Sequence, residues 1–111
     1  MAKRILDCYA SDFEGFSKMD LLESIGKSEG RVIACETIGT VQPMLVDVTN
    51  AEFVSAMGAD LLLLNMFDVQ NPCIRGLPDG KPEDTVRLLK QLTGRPIGIN
   101  LEPVEEGKEC E

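Results

Sequence analysis

The sequence contains no histidine and no tryptophan, and it has a single tyrosine, Tyr9. The lack of histidine excludes, within this chain, Ser-His-Asp and Cys-His hydrolases, H-E-x-x-H metalloproteases and acid–base catalysis by imidazole. Any chemistry must therefore come from carboxylates, amides, lysine, arginine, the tyrosine or a thiol.

Basic charge is also scarce, since 11 lysines and arginines face 19 acidic residues and the net charge is −8. Sequence-independent binding to nucleic acid requires a basic surface that displaces counterions, and docking on an anionic membrane requires charge of the same sign. We therefore expect no nucleic-acid partner and no membrane partner. A cation or a small anion remains a possible ligand.

The chain has no apolar run close to the roughly 20 residues that span a bilayer, and its basic start lacks the apolar stretch of a signal peptide. These absences predict a cytoplasmic protein. The cysteines form no C-x-x-C pair, so reduced thiols in the core are favoured over disulfides or a zinc site; they are Cys8, Cys35, Cys73 and Cys110.

Three segments are predicted to be buried parallel strands, at residues 31–36, 60–67 and 96–102. The second contains four consecutive leucines, Leu61 to Leu64, and this lack of alternation indicates a strand covered on both faces. A Gly-Ala-Asp break precedes it and an Asn-Pro pair follows it, as expected at strand boundaries.

Helices are predicted between and before the strands. One covers residues 18–27, one follows a capping box formed by Thr49 and Glu52 and stops at Gly58, and one runs from Pro82 to Gly94. Alternating strands and helices predict an α/β fold with three parallel strands and right-handed crossovers. This pattern fits part of a (β/α)8 (TIM) barrel or, alternatively, a small doubly wound sheet.

Length limits how much of a barrel is present. A complete barrel needs roughly 250 residues, whereas the chain has 111. We therefore expect residues 1–111 to form a single α/β segment, the N-terminal portion of a barrel, with a polar and disordered tail at residues 104–111. Open sheet edges would favour pairing with a second copy, so a homo-oligomer is expected.

Polar residues follow each predicted strand at the point where it ends, and the carboxyl ends of parallel strands meet at one edge of a sheet. The predicted catalytic residues are Glu36, Asn65, Asn100 and Glu102. Carboxylates are suitable ligands for Mg²⁺, and the predicted metal ligands are Glu36, Asp68 and Glu102. The alternative is that polar residues occur at these positions only because the chain returns to water there.

Three strings carry a resemblance to a known family: Ile-Leu-Asp-Cys-Tyr-Ala-Ser-Asp at 5–12, Gly-Ala-Asp-Leu-Leu-Leu-Leu-Asn-Met-Phe-Asp at 58–68, and Pro-Ile-Gly-Ile-Asn-Leu-Glu-Pro at 96–103. They resemble the N-terminal part of a bacterial family often labelled phosphoenolpyruvate phosphonomutase-like. The resemblance implies a TIM barrel of full length and a lyase or isomerase that uses Mg²⁺. No catalytic residue is carried over, because the lysine–cysteine loop of the true mutases is not found here.

These observations lead to two hypotheses about function. The first is the N-terminal segment of a TIM-barrel enzyme acting on a small anionic metabolite, a carboxylate or a phospho compound. The second is a non-catalytic α/β module that self-associates, or an inactive truncated product.

Overall fold

The computed structural model describes residues 3–100. The elements, in chain order, are α1 (Ala10–Glu14), α2 (Lys18–Lys27), β1 (Ala34–Ile38), α3 (Asn50–Ala56), β2 (Leu61–Asn65), α4 (Thr85–Thr93) and β3 (Ile97–Ile99), with 3₁₀ turns at Ile5–Asp7 and Pro82–Asp84. The strands form one parallel sheet in the order β1-β2-β3. The predicted α/β fold with three parallel strands is confirmed, and residues 101–111, including the predicted tail, lie outside the described part.

One face of the sheet carries the main core. Leu62 and Leu64 are 0% and 1% exposed, and they pack with Ala51 of α3 and Leu89 of α4. Cys35 packs against the same core, as its alternation along β1 predicts. The two helices also contact each other, so α3 and α4 form a single layer on this face.

The opposite face is covered much less. Ala34 and Glu36 of β1 are exposed there, and Leu63 is half-buried. Leu61, at the start of β2, packs instead against a cluster at the amino ends of the strands. The prediction that both faces of the four leucines are covered therefore holds for the helix face and only partly for the other, which we call the bare face.

The amino-end cluster consists of residues that come before the first strand. Ile5, Cys8 and Phe13 are buried in it. Helix α2 has the predicted bounds, whereas the short helix α1 was not predicted; it begins where the Asp12 carboxylate accepts a hydrogen bond from the Tyr9 backbone N–H at 2.8 Å. The N-terminal segment thus packs across the amino ends of the strands.

The predicted bounds of the first strand were wrong. We placed it at residues 31–36, but β1 runs over Ala34–Ile38. Thr37 and Ile38 are β-branched and continue the extended backbone, and Glu36 is tolerated before them because its side chain is exposed on the bare face. Strands β2 and β3 lie inside their predicted segments but are shorter.

Polar contacts fix the starts and ends of the central elements. Asp60 is 9% exposed, its carboxylate accepts from the Ile33 N–H at 2.9 Å, and its own N–H donates to the Ile33 carbonyl at 2.8 Å. The predicted capping box is present, since the Thr49 hydroxyl accepts from the Glu52 N–H at 3.1 Å and the Thr49 N–H donates to the Glu52 carboxylate at 2.8 Å. Helix α4 ends at Gly94 with φ +67°, as predicted.

The unequal burial of neighbouring leucines predicts unequal effects of truncation. Leu64→Ala should lower the free energy of unfolding by about 2–5 kcal/mol, because it leaves a cavity under α3 and α4. Leu63→Ala, on the half-buried face, should lower it by only about 1 kcal/mol. Urea unfolding followed by circular dichroism measures both, and equal losses would contradict the assignment of the two faces.

The N-terminus of α2 predicts a dependence of stability on pH. A hydrogen bond from the Ser17 backbone N–H, and then one with its hydroxyl, lower the pKa of the Asp20 carboxyl below its usual value of 3.8. A carboxyl whose pKa is lower in the folded state stabilises that state above its usual pKa, and the stabilisation is lost as pH falls through the lowered value.

The thermal midpoint of Asp20→Asn should therefore lie below that of the wild type at neutral pH, and the two should converge as pH falls to about 2. Asp79→Asn, which changes an exposed loop carboxylate, serves as the control and should follow the wild type throughout. A gap between Asp20→Asn and the wild type that persists undiminished in acid would show that the carboxylate charge is not involved.

Candidate functional site

Asn65 and Asn100 meet at the carboxyl ends of neighbouring strands. The Asn100 Nδ2 donates to Asn65 Oδ1 at 3.3 Å, and the Asn100 backbone N–H donates to the Leu64 carbonyl at 3.0 Å. The structure thus brings together two of the predicted site residues. We call this edge of the sheet the carboxyl rim.

The orientation of the Asn65 amide is fixed by the backbone that follows it. Its Oδ1 also accepts from the Met66 N–H at 3.0 Å, and Met66 has a φ of +56°, which is unusual for a residue with a side chain. Within residues 3–100, the Asn65 Nδ2 and the Asn100 Oδ1 have no hydrogen-bond partner. The pair therefore leaves one amide donor group, on Asn65, and one amide acceptor, on Asn100, for a ligand.

Glu36 is not at a strand end, which corrects its predicted position. It lies in the middle of β1, opposite Leu63. The pair at the strand ends, Ile38 and Asn65, lies two residues further along. Alternation places Glu36 and Asn65 on the same bare face, with Glu36 about 7 Å below the rim, two residues along the strand. Its exposed carboxylate therefore faces the space beneath the two amides.

Two of the three predicted metal ligands, Glu36 and Asp68, lie within the described residues. Asp68 is exposed in the loop after β2, where its Oδ1 accepts from the Gln70 N–H at 2.9 Å. Within residues 3–100, no three Cys, Asp or Glu side chains lie close enough together to hold a metal ion. Glu102 lies outside the described residues, and Mg²⁺ binding stays a prediction.

The backbone of Arg75 lies next to the end of β1 because two loops contact each other there. Its backbone N–H donates to the Gly39 carbonyl at 2.8 Å, directly after β1 ends. A Cβ on Gly39 would lie 2.7 Å from the Cys73 carbonyl oxygen, so the loops can meet this closely only at a glycine. The Arg75 side chain is exposed and has no carboxylate partner within residues 3–100.

From the sequence alone, Arg75 is a candidate to hold an anion, but a solvated side chain is favoured. No periodic pattern near it indicates a contact between loops. Gly39, immediately after a strand, was the available signal. A cavity of about 10 Å³ lies behind this contact, between Thr37, Asn50 and Arg75. It has room for about one water molecule, so this cavity is too small for a metabolite.

Family comparison assigns most of the chain. Residues 6–111 match the family model described as Domain of unknown function (DUF7916). The chain belongs to the DUF7916 family. No curated protein and no solved structure matches it, so the family assignment of this DUF7916 chain brings no activity with it. Within residues 3–100, no helix has the length and apolar character needed to cross a membrane.

The close approach of the two loops in this DUF7916 chain can be tested with glycine substitutions. Gly39→Ala should destabilise the fold by about 1–3 kcal/mol, because the added methyl group meets backbone atoms of the facing loop. It should also speed amide hydrogen exchange at Arg75, whose N–H donates to the Gly39 carbonyl.

Gly26→Ala is the matched control. Gly26 lies inside α2, and a Cβ there would meet nothing within 4 Å, so this change should raise stability by about 0.5–1 kcal/mol through helix propensity. If both alanine variants behaved alike, the contact between the loops would not be tight in solution.

Proposed function

We propose that this chain is the N-terminal part of a (β/α)8-barrel enzyme that binds a small anionic metabolite, a carboxylate or a phospho compound, at the carboxyl rim. The observation that carries the proposal is the Asn65–Asn100 amide pair at the ends of adjacent parallel strands, with the unpaired Arg75 on the loop that contacts the end of β1. In barrels, catalytic residues come from the carboxyl ends of several strands.

The arrangement of layers is the one that part of a barrel would have. Strand order follows chain order, and α3 and α4 pack on the same face. One βαβαβ half of a doubly wound sheet has the same arrangement, so the choice of a barrel rests on the resemblance of the sequence. In a barrel the bare face of Ala34, Glu36 and Leu63 would face the interior, where further strands would cover it.

The chemistry of the rim suits an anion. The free Asn65 amide N–H group can donate to a carboxylate or phosphate oxygen, and Arg75 supplies a positive charge that can bind such a group in a bidentate manner. Glu36, on the same face and without a positively charged partner within residues 3–100, is placed to act as a general base on a substrate held above it. Mg²⁺ bound through Glu36 and Glu102 belongs to the same proposal.

Self-association is the second candidate, and the observation that favours it is the pair of open edges. The outer edges of β1 and β3 pair with no strand of residues 3–100. A second copy stacked on the bare face would bury Glu36 beside apolar residues without a partner, which is unfavourable. Pairing along the edges of the sheet avoids burying Glu36. The mass measured by light scattering tests whether the chain self-associates, and a monodisperse monomer would contradict this candidate.

The binding proposal is tested by changing the amide donor while keeping its structural acceptor. Asn65→Asp retains the oxygen that accepts from Met66, but it replaces the free donor with a negative charge. We expect binding of inorganic phosphate and malonate, measured by NMR titration of backbone amides, to weaken more than tenfold. Arg75→Gln should weaken it about fivefold, the effect of one charge-assisted contact.

Arg87→Gln is the control, since Arg87 is exposed on α4 and pairs with Asp84 at 2.7 Å. It should bind both anions as the wild type does, and all three variants should keep thermal midpoints close to the wild type. Shifts that cluster at Asn65, Arg75 and Asn100 would support the rim as the site. Unchanged binding by Asn65→Asp, or no saturable binding in the wild type, would end the proposal.

A further inference from the structure

A second concave region lies at the opposite, amino end of the strands. It is a groove of about 140 Å³ between the N-terminal segment, the last turn of α4 and the residue before β3. Its apolar walls are Phe13, Phe16, Leu21 and Pro96, and its charged lining is Lys18 and Lys90. We call it the amino-end groove. The proposed enzyme function does not use it.

Contacts with neighbouring side chains hold the walls of the groove in place. Phe13 is 3% exposed and meets Phe16 edge to face, with ring centroids 5.4 Å apart. The Arg95 guanidinium lies over the Phe13 ring at 5.9 Å from its centroid, a cation–π distance. Gly94 contacts Ala10, where an added Cβ would come within 2.7 Å of the alanine side chain. The groove is therefore preformed.

Among residues 3–100, no carboxylate pairs with either lysine of the groove, although the chain is strongly acidic. Lys3, Arg4, Lys27 and Arg87 each pair with a carboxylate at 3.5, 2.8, 3.0 and 2.7 Å. Within residues 3–100, Lys18 and Lys90 have no such partner. Lys18 is also the first residue of α2, where the positive end of the helix dipole repels a cation. Helix stability therefore does not explain why a lysine stands there.

We propose that the amino-end groove binds a small anion that carries one apolar ring, an aromatic carboxylate. A cavity of roughly 150 Å³ accommodates benzene, so the groove has the volume for one six-membered ring beside the half-buried Phe16 and Leu21. The ring would contact the apolar walls, and the carboxylate would face the Lys18 and Lys90 ammonium groups. Charge complementarity and size together select this class of ligand.

Benzoate is the probe, and benzyl alcohol is its neutral counterpart. Benzoate should bind the wild type with a dissociation constant of roughly millimolar order, as expected for so small a ligand in an open groove. Lys18→Gln and Lys90→Gln should each weaken it about fivefold, and added salt should weaken it further. Benzyl alcohol should bind at least fivefold more weakly than benzoate.

Lys81→Gln is the matched control, because Lys81 is an exposed lysine outside the groove, and it should bind benzoate as the wild type does. The position of the NMR shifts separates this site from the carboxyl rim, which is also proposed to bind a carboxylate. NMR shifts should cluster at Phe13, Phe16 and Leu21. The lysines are exposed, so the variants should fold, and circular dichroism checks that they do.

Three outcomes would overturn the proposal: no saturable binding of benzoate, undiminished binding by the variant that carries both lysine substitutions, or shifts located away from the groove. An acidic peptide with a central phenylalanine provides a further arm. If it bound at the same lysines more than tenfold tighter than benzoate, the groove would be a surface for docking a protein segment, and the small-ligand proposal would be wrong.

Discussion

The fold depends on the burial of Leu62 and Leu64 beneath α3 and α4. These two side chains are almost completely removed from water, and each contributes apolar burial worth about 1.5–3 kcal/mol. Because both helices lie on the same face, the crossovers between strands all run over that side. The other side is left with Ala34, Glu36 and Leu63, none of which is fully buried.

Much of this organisation follows from local patterns in the sequence. The leucine run predicts β2, the Thr49 capping box predicts the start of α3, and Gly94 predicts the end of α4. Each of these features depends on residues that are close together in the sequence. The position of Glu36 within β1 could not be obtained in the same way. A charged residue is expected to end a strand only where both faces of the sheet are buried, and whether a face is buried depends on helices that are distant in the sequence. Helix α1 was not predicted either. The residue before it is Tyr9, which is not a usual N-cap residue, and the hydrogen bond at the start of the helix is accepted by the Asp12 carboxylate, three residues later in the chain.

The residues of the candidate site also differ in how far the sequence predicts their positions. Asn65 and Asn100 could be brought together from the sequence, because parallel strands deliver their ends to one edge. Arg75 could not, because its position depends on a backbone contact at Gly39 between two irregular loops. The metal ligands stay a prediction, because Glu102 lies outside the described residues and a linear pattern specifies no distance between side chains.

The leucine run also leaves the pairing of β2 with its neighbours undetermined by hydrophobicity. In most strands a slip by one residue would turn apolar side chains outward, but here Leu61 and Leu63 could replace Leu62 and Leu64 with no change in composition. The register of β2 must therefore be set by polar residues. Asp60 does so at one end through its paired hydrogen bonds with Ile33, and Asn65 does so at the other through Asn100. The amides proposed to bind a ligand thus also help to set the register between β2 and β3.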